Sequence, residues 1–421
     1  MNERFTTMRA LSNSLAEALN MIDPSIENHH QQTAYLAYMI ARAADFDEKM
    51  LHRTYFSSLV HDIGFITMEK PGSVAELEKN AKQIAAIGAR LIEGFPDSAE
   101  IANVVRNCQS SWSEYLSFSE EDKIKYQNSA RIASVVHLAD IVSAMIKSNV
   151  SVLNQVKEIR EAIGAFRGTE FSEEATDAFF RASENEFVWM DMRYNPRFLN
   201  YFVGDIGEVS LEQTVKMTSI ISRVIDYRSS FTAMHSAGVS ASAAALARLA
   251  GMSEDECMMM TIAGHMHDVG KLKVPRAILE KPGKLTEEEF NIIKEHPYYT
   301  RLNMMGAEGF EKIADWAGFH HEKLNGKGYP FHFGAADLDT GSRIMAVADI
   351  FSAITEVRPY RAGMDRAGAL AVLGENVRSG GIDGDIVALL ADNYEQIDGL
   401  REEAAEREGS RYYDSINKIP K

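Results

Sequence analysis

The residues best suited to chemistry lie in the segment that ends at Lys271. There His267 is followed directly by Asp268, and Lys271 comes three residues after the carboxylate. The imidazole offers a nitrogen and the carboxylate two oxygens, a mixture of donors that divalent Fe, Mn and Zn accept. Two side chains cannot fill a coordination shell, so the remaining ligands must come from elsewhere in the chain.

Further donors of the same kind are spread over the second half of the chain, at His235, His296, His320, His321 and Asp349. Adjacent residues on a helix diverge by about 100°, so His267 and Asp268 cannot both face one small cation symmetrically. Two cations that share a bridging carboxylate resolve this geometry. His265 lies two residues before His267 on a predicted helix and is therefore expected to point elsewhere.

This ordered set resembles the HD-GYP family of metal-dependent cyclic dinucleotide phosphodiesterases. The resemblance covers roughly residues 231–365 and extends well beyond the His-Asp pair. Its motifs are His-Asp-x-Gly-Lys at 267–271, Lys-Pro-Gly-Lys-Leu-Thr at 281–286, Glu-His-Pro at 295–297, His-His-Glu at 320–322, the Gly-Tyr-Pro element with Gly326, Gly328, Tyr329 and Pro330, and Arg-Pro-Tyr-Arg from Arg358 to Arg361.

The resemblance implies a hydrolase with two divalent metals, of which Fe and Mn best suit a site rich in imidazole. It places His235, His267 and Asp349 on one metal. It places three histidines on the other, with Asp268 as the bridge: His296, His320 and His321. The implied reaction is hydrolysis of cyclic di-GMP or 3′,3′-cGAMP to a linear dinucleotide, and further hydrolysis to mononucleotides stays open.

The resemblance also assigns roles around the metals. Asp268 and Lys271 are the implied catalytic residues, since Lys271 would neutralise charge that develops on the phosphoryl oxygens. Lys271, Arg358 and Arg361 are the implied contacts to the substrate, and the Gly-Tyr-Pro loop would turn tightly beside the site.

The chain departs from the family pattern at three positions. Phe231 stands where some members carry a glutamate for a third metal, so two metals are predicted here. Asn325 stands where an aspartate is common, and Ser352 where a second aspartate often follows Asp349. Neither is a proposed ligand, so both departures leave activity possible and bear on the substrate pocket or a partner surface.

A second His-Asp-x-Gly, at His61 and Asp62, indicates an internal duplication. The offsets between matching residues are 205 for His30 and His235, 206 for His61 and His267, 211 for Pro71 and Pro282, and 209 for Asp140 and Asp349.

The first copy lacks most of the chemistry. Lys271 is matched by Phe65, His296 falls opposite Ala85, and the paired histidines fall near Cys108 and Gln109. What remains is His30, His61, Asp62 and Asp140, which predicts either a vestigial site or a site for a single metal, without phosphodiester cleavage.

Helical periodicity along the chain predicts an all-α protein with two tandem HD-type domains joined by a long helix. The predicted parts are a degenerate regulatory domain at 1–195, a linker helix at 196–230 and a catalytic domain at 231–421. The first helix is predicted over 3–22. Capping boxes are predicted at Ser210, Ser253 and Thr286, each followed three residues later by Gln or Glu.

The composition limits the partners. A net charge of −17 argues against binding to polymeric nucleic acid, which needs a basic face. With Cys108 and Cys257 as the only cysteines, a disulfide framework is not expected. No run approaches the roughly 18–20 apolar residues of a membrane span, and no secretory signal opens the chain. We therefore expect a cytoplasmic protein. The resemblance implies a cyclic dinucleotide as its substrate, and the linker helix or the first domain offers a surface through which a homodimer could form.

Two alternatives stay open on the sequence. One is a nucleotide phosphohydrolase of the broader HD superfamily, against which the Gly-Tyr-Pro element weighs. The other is a cyclic dinucleotide sensor without turnover, against which Lys271 and the full ligand set weigh.

Overall fold

The computed structural model describes residues 5–21, 28–64, 74–92, 98–194, 196, 208–227, 234–356 and 362–417. Within these ranges the protein is almost wholly helical, which confirms the all-α prediction. The sole pair of strands in the described ranges, β1 at Thr6–Thr7 and β2 at Glu208–Val209, is antiparallel and two residues long. The described helices include none long and apolar enough to cross a membrane.

The first half of the chain forms ten α-helices in the described ranges, with a 3-10 segment at Val152–Asn154 between the seventh and the eighth. They are α1 Met8–Asn20, α2 His29–Ala43, α3 Glu48–Val60, α4 Val74–Leu91, α5 Ser98–Asn107, α6 Trp112–Leu116, α7 Glu120–Met145, α8 Val156–Ala165, α9 Glu173–Ala182 and α10 Glu186–Tyr194.

The second half forms eleven more, with a 3-10 segment at Val269–Lys273 that carries the lysine of the His-Asp motif. They are α11 Leu211–Tyr227, α12 His235–Leu249, α13 Glu254–Met266, α14 Arg276–Leu279, α15 Glu287–Ile293, α16 His296–Met305, α17 Glu311–Gly318, α18 Thr340–Thr355, α19 Arg366–Arg378, α20 Gly384–Asp392 and α21 Tyr394–Asn417.

The predicted capping boxes start their helices as expected. At Ser253 and at Thr286 the hydroxyl accepts the backbone N–H three residues on, and the glutamate there accepts the N–H of the cap. At Ser210 the same reciprocal pair forms with Gln213. Each box satisfies two N–H groups that a helix start would otherwise leave without partners.

The helix predicted over 3–22 starts later than expected, at Met8. The residues before it, Thr6 and Thr7, are in β1 and pair with Val209 and Glu208. A two-residue strand leaves too short a pattern to be read from periodicity, so this difference has a simple physical reason.

The chain divides into two compact units. One contains Met1–Ser14 and Glu208–Lys418, so α11 belongs to the same unit as the predicted catalytic residues; the other is built from Leu15–Gly207. Inside the first of these units, Ser14 donates a hydrogen bond to the side chain of Asn303 at 2.6 Å. The domain limits given by the sequence stay predictions.

Small residues allow the helices of the site to approach closely. A Cβ on Gly264 of α13 would lie 2.4 Å from Ser240 Cα of α12, so only glycine fits there. The Ser240 hydroxyl then donates to the carbonyl of Thr261 at 2.9 Å. The alanine-rich α12 thus packs tightly on the helix that delivers His267.

Candidate metal centre

Apart from Asp349, the predicted ligands of the second half lie at or just beyond the ends of helices. His235 is the first residue of α12, His267 caps the end of α13, and His296 is the first residue of α16. His320 and His321 come just after α17, and Asp349 lies within α18. All seven predicted metal-ligating residues lie together.

The first group of donors contains His235, His267 and Asp268, which offer ligand atoms within 4.8 Å of one another. Asp349 adjoins this group. Its Oδ1 lies 3.1 Å from His235 Nε2 and 3.8 Å from His267 Nε2. Two imidazoles and two carboxylates therefore converge at this point.

The second group of donors contains His296, His320 and His321, whose ligand atoms also lie within 4.8 Å of one another. The Nε2 atoms of His296 and His320 are 3.2 Å apart. Two imidazole nitrogens held this closely suit a shared cation, because a lone pair on one nitrogen repels a lone pair on the other.

Asp268 faces both groups. Its Oδ2 lies 3.3 Å from His267 Nε2, whereas its Oδ1 lies 3.4 Å from His296 Nε2 and 3.9 Å from His320 Nε2. One carboxylate thus presents a different oxygen to each group, as a bridging ligand would. The division of the ligands between two metals remains a prediction.

Backbone carbonyls fix the orientation of three of the imidazoles. The Nδ1 atoms of His267, His296 and His320 lie 2.8, 2.7 and 2.6 Å from the carbonyl oxygens of Gly264, Ile293 and Ala317, each three residues earlier. A proton held on Nδ1 by such a carbonyl leaves Nε2 free to bind a metal.

Two buried atoms of the centre lack hydrogen bonds, which indicates whether a cation would fit there. His267 is fully buried and Asp268 nearly so, yet His267 Nε2 and Asp268 Oδ1 make no hydrogen bond. Buried polar atoms almost always have a partner. Because both atoms point into the cluster of donors, a divalent cation is the partner that this chemistry fits.

The protonation states suit metal binding at the second group. Burial lowers the pKa of His296 to about 3 and that of His320 to about 4. Both imidazoles are therefore neutral at physiological pH and able to donate a lone pair. At the first group, burial lowers the pKa of His235, but its pairing with Asp349 and Glu356 outweighs this and raises it to about 10.

Lys271 stands at the edge of the centre. Its Nζ lies 2.6 Å from Asp268 Oδ2, and the side chain is partly exposed. With burial acting in the opposite direction, His267 and Lys271 together hold the pKa of Asp268 well below its usual range. Asp268 is therefore ionised, and Lys271 places a positive charge beside it.

The Gly-Tyr-Pro loop borders the centre through Tyr329. The Tyr329 ring lies 4.9 Å from the His321 ring, centroid to centroid, and its backbone N–H donates to the His321 carbonyl at 3.3 Å. A Cβ on Gly328 would lie 2.4 Å from Glu322 Cα, so glycine is required, and Gly326 adopts a φ of 71°. The Tyr329–Pro330 peptide bond is cis.

Sequence reasoning assigned no role to Glu322, although it stands within the His-His-Glu motif. Its buried carboxylate accepts the backbone N–H groups of Phe331 at 2.7 Å and Phe333 at 3.0 Å. It thereby ties the Gly-Tyr-Pro loop to the segment that carries His320 and His321. A glutamate directly after two predicted ligands is the signal that could have indicated this role.

The other predicted residues are placed as follows. His265 faces away from the donors, with its Nδ1 3.2 Å from the Thr218 hydroxyl of α11, as its position on the helix predicted. Arg358 and Arg361 lie outside the described residues. Cys108 and Cys257 are both free and buried.

The first copy also gathers donors, but the sequence misassigned one of them. The group with ligand atoms within 4.8 Å of one another contains His29, His61, Asp62 and Asp140. His29 Nε2, not a nitrogen of His30, lies 3.1 Å from Asp140 Oδ1. His29 begins α2 as His235 begins α12, so the offset is 206, the same as for His61 and His267. Counting from His30 was one residue off.

The second group of donors is replaced in the first copy. A Cβ on Gly64 would lie 2.0 Å from the Ile84 carbonyl oxygen, just as one on Gly270 would lie 2.0 Å from that of His296. Ile84, and not the predicted Ala85, therefore takes the place of His296.

Cys108 and Gln109 take the places of the paired histidines, as predicted. The Cys108 thiol donates to the Val105 carbonyl, three residues earlier, at 3.0 Å. The His320 ring likewise contacts the carbonyl three residues before it, that of Ala317. The Gln109 amide donates to Asp140 Oδ2 at 3.3 Å, where His321 faces Asp349 Oδ2 in the second copy.

Comparison with known proteins agrees with the duplication. HD domain models match residues 26–145 and residues 219–386. The chain is 28% identical over 400 residues to 3′3′-cGAMP-specific phosphodiesterase 1 of Vibrio cholerae, covering 91% of this chain and 90% of that protein. It is 35% identical over 164 residues to the cyclic di-GMP phosphodiesterase response regulator RpfG of Xanthomonas campestris, covering 38% of this chain and 43% of that protein.

A solved structure shares the fold. The crystal structure of a cyclic GMP-AMP specific phosphodiesterase of V. cholerae, V-cGAP3, superposes with a TM-score of 0.63 at 21% identity and covers 93% of this chain and 98% of that chain.

Fold, donors and matches together define a protein with two HD domains. The second domain carries the ordered ligands, the lysine and the Gly-Tyr-Pro element in one place. The chain belongs to the HD-GYP family.

Proposed function

We propose that this protein is a metal-dependent phosphodiesterase that hydrolyses a cyclic dinucleotide to a linear dinucleotide. The observation that carries the proposal is the position of Asp268, whose two oxygens face two separate groups of buried imidazoles. A donor set with seven members, five of them imidazoles, is too large for one cation. It suits a pair of them, and Fe and Mn are the metals we propose.

The chain's own residues would divide the work. His235, His267 and Asp349 would hold one cation. His296, His320 and His321 would hold the second, and Asp268 would bind both. Bound cations of this kind activate water and neutralise phosphoryl charge. Lys271, 2.6 Å from Asp268 and partly exposed, is placed to add a positive charge next to a phosphodiester as its 3′ oxygen departs.

We propose 3′3′-cGAMP as the first substrate to test. The likeness to the V. cholerae phosphodiesterase named for that dinucleotide runs along 91% of this chain, whereas the likeness to the relative named for cyclic di-GMP runs along 38%. The likeness to the cGAMP-specific relative thus extends over both HD domains of this protein.

The first HD copy is proposed to regulate or to dimerise, and not to cleave. Its donors suffice for one cation at most, because Ile84, Cys108 and Gln109 stand where the second would need imidazoles. Whether this copy or α11 forms a homodimer is tested by sedimentation of the full chain with and without α11 surface substitutions such as Lys216→Glu.

Turnover of three cyclic dinucleotides tests the proposal. Fe-loaded and Mn-loaded protein should linearise 3′3′-cGAMP faster than cyclic di-GMP or cyclic di-AMP, and chelation should abolish this. His267→Ala is the inactive control. Release of product only from mononucleotides would favour a nucleotide phosphohydrolase, and tight binding without cleavage would favour a sensor.

A further inference from the structure

The four helix-end histidines of the centre differ in what holds their second ring nitrogen. His267, His296 and His320 each have Nδ1 within 2.8 Å of a carbonyl three residues earlier. For His235 the carbonyl three residues earlier lies outside the described residues. Among the described residues its buried Nδ1 makes no hydrogen bond, so it needs a partner when it carries a proton.

Glu356 is placed to be that partner. Its Oε2 lies 3.5 Å from His235 Nδ1, on the side of the ring opposite Nε2, which faces Asp349 at 3.1 Å. Glu356 follows directly on α18, the helix that carries Asp349, and is 8% exposed. The same helix therefore supplies a carboxylate to each edge of one imidazole.

In the first copy, the Nδ1 atom of the equivalent histidine has a different neighbour. His29 also begins its helix, and its Nδ1 lies 3.2 Å from the hydroxyl of Ser143. Ser352 is the counterpart of Ser143, at the same offset of 209 that joins Asp140 and Asp349. Yet the Ser352 hydroxyl is buried without a hydrogen bond. In the second copy, the group that lies beside the Nδ1 atom is a carboxylate one helical turn later, that of Glu356.

We infer that Glu356 is a positioning residue for His235. With a cation on Nε2, the imidazole carries its proton on Nδ1, and Glu356 accepts that proton in a charge-assisted hydrogen bond. This fixes the ring and raises its basicity, so the first group binds its cation more tightly. The inference rests on the metal centre of the proposed function but does not depend on which substrate, if any, is cleaved.

Metal affinity without nucleotide is the measurement. Mn²⁺ binding is titrated against a competing chelator in a His29→Ala background, which removes one of the four donors of the first copy. Glu356→Ala should weaken one of the two Mn²⁺ sites about 10- to 100-fold, and Glu356→Gln should weaken it less, since the amide oxygen still accepts. Ser352→Asp combined with Glu356→Ala should recover affinity, because the equivalent Ser143 hydroxyl reaches the His29 ring.

Glu402→Ala is the matched control. Glu402 lines the same cavity of about 210 Å³ as Glu356 and His235, but it pairs with Arg401 and not with the ring. It should leave Mn²⁺ affinity unchanged, and thermal unfolding of the metal-free variants should show that all of them fold.

Two results would overturn the inference. One is wild-type Mn²⁺ affinity in Glu356→Ala. The other is a loss that is additive with His235→Ala, since a residue that acts through the imidazole has nothing left to act on when the imidazole is gone. Normal Mn²⁺ binding with no hydrolysis of any cyclic dinucleotide would instead refute the proposed function and leave the role of Glu356 intact.

Discussion

A Cβ built on Gly270 would lie 2.0 Å from the carbonyl oxygen of His296. The 3-10 segment after the His-Asp pair thus touches the backbone of the helix that carries a ligand of the second group. Thr300 reinforces the contact: its hydroxyl accepts the Gly270 N–H at 3.0 Å and donates to the His267 carbonyl at 2.8 Å. The glycine of His-Asp-x-Gly-Lys therefore sets the distance between the two groups of donors.

Gly270→Ala should move the two groups of donors apart. We expect the free energy of unfolding to fall by about 1–3 kcal/mol from overpacking, and the second cation to be lost before the first. Urea unfolding and metal analysis measure both effects. Gly399→Ala is the control, because nothing lies within 4 Å of a Cβ there; equal losses in the two variants would contradict the prediction.

Lys271→Met should reduce catalysis and spare the metals. If Lys271 offsets charge that develops on the phosphoryl group, kcat should fall by roughly 10²- to 10³-fold with both cations still bound. Lys273→Met provides a comparison, since that ammonium lies 3.7 Å from the centre of the Tyr299 ring and not beside Asp268. A metal-loaded Lys271→Met enzyme with the wild-type kcat would rule out the assigned role.

The two groups should respond differently to pH. With a pKa of about 10, His235 is protonated near neutrality and must release a proton when a cation binds, so the affinity of the first group should fall about tenfold for each unit of decreasing pH. His296 and His320, with pKa values of about 3 and 4, are already neutral, so affinity at the second group should stay flat from pH 8 to pH 6.

Mn²⁺ titrations at pH 6, 7 and 8 check this difference. The variant His320→Ala retains the first group, and His235→Ala retains the second. Both are made in the His29→Ala background, which removes one of the four donors of the first copy. Parallel pH profiles for the two variants would contradict the assignment of the proton to His235.

Glu322→Ala should release the Gly-Tyr-Pro loop. The carboxylate accepts two backbone N–H groups of that loop, and hydrogen bonds to charged groups contribute about 1.5–3 kcal/mol each. We expect kcat/KM to fall by one to two orders of magnitude, roughly the loss of one such bond, with metal content unchanged. Glu311→Ala, an exposed carboxylate at the start of α17, should have no effect.

Much of this arrangement could be predicted because the chemistry depends on residue type and order. The His-Asp pair, the paired histidines and Asp349 are unusual enough together to indicate one site, and the serine and threonine caps mark where the helices begin. The starts of α11, α13 and α15 could be located from such local hydrogen bonds, whereas His235 and His296 were expected near one another because of the resemblance to the family.

Other features depend on the backbone in three dimensions. His29 and His30 are equally good donors, and only the start of α2 decides which ring faces Asp140. Glu356 is one of many glutamates in an acidic chain, so its contact with His235 has no signature in the sequence. The strand Thr6–Thr7 is held by residues some 200 positions away, which no local pattern reveals.

Three substitutions in the first copy test whether its missing donors are all that prevents it from binding a second cation. Ile84→His, Cys108→His and Gln109→His together should restore the second group of donors, since these residues occupy the places of His296, His320 and His321. In a His267→Ala, His320→Ala background, the triple variant should bind one more Mn²⁺ per chain by equilibrium dialysis than the same background without it. A folded triple variant with unchanged Mn²⁺ stoichiometry would contradict this. Hydrolysis should not be restored, because the position of Lys271 is filled in this copy by Phe65, which carries no charge to place beside a phosphate.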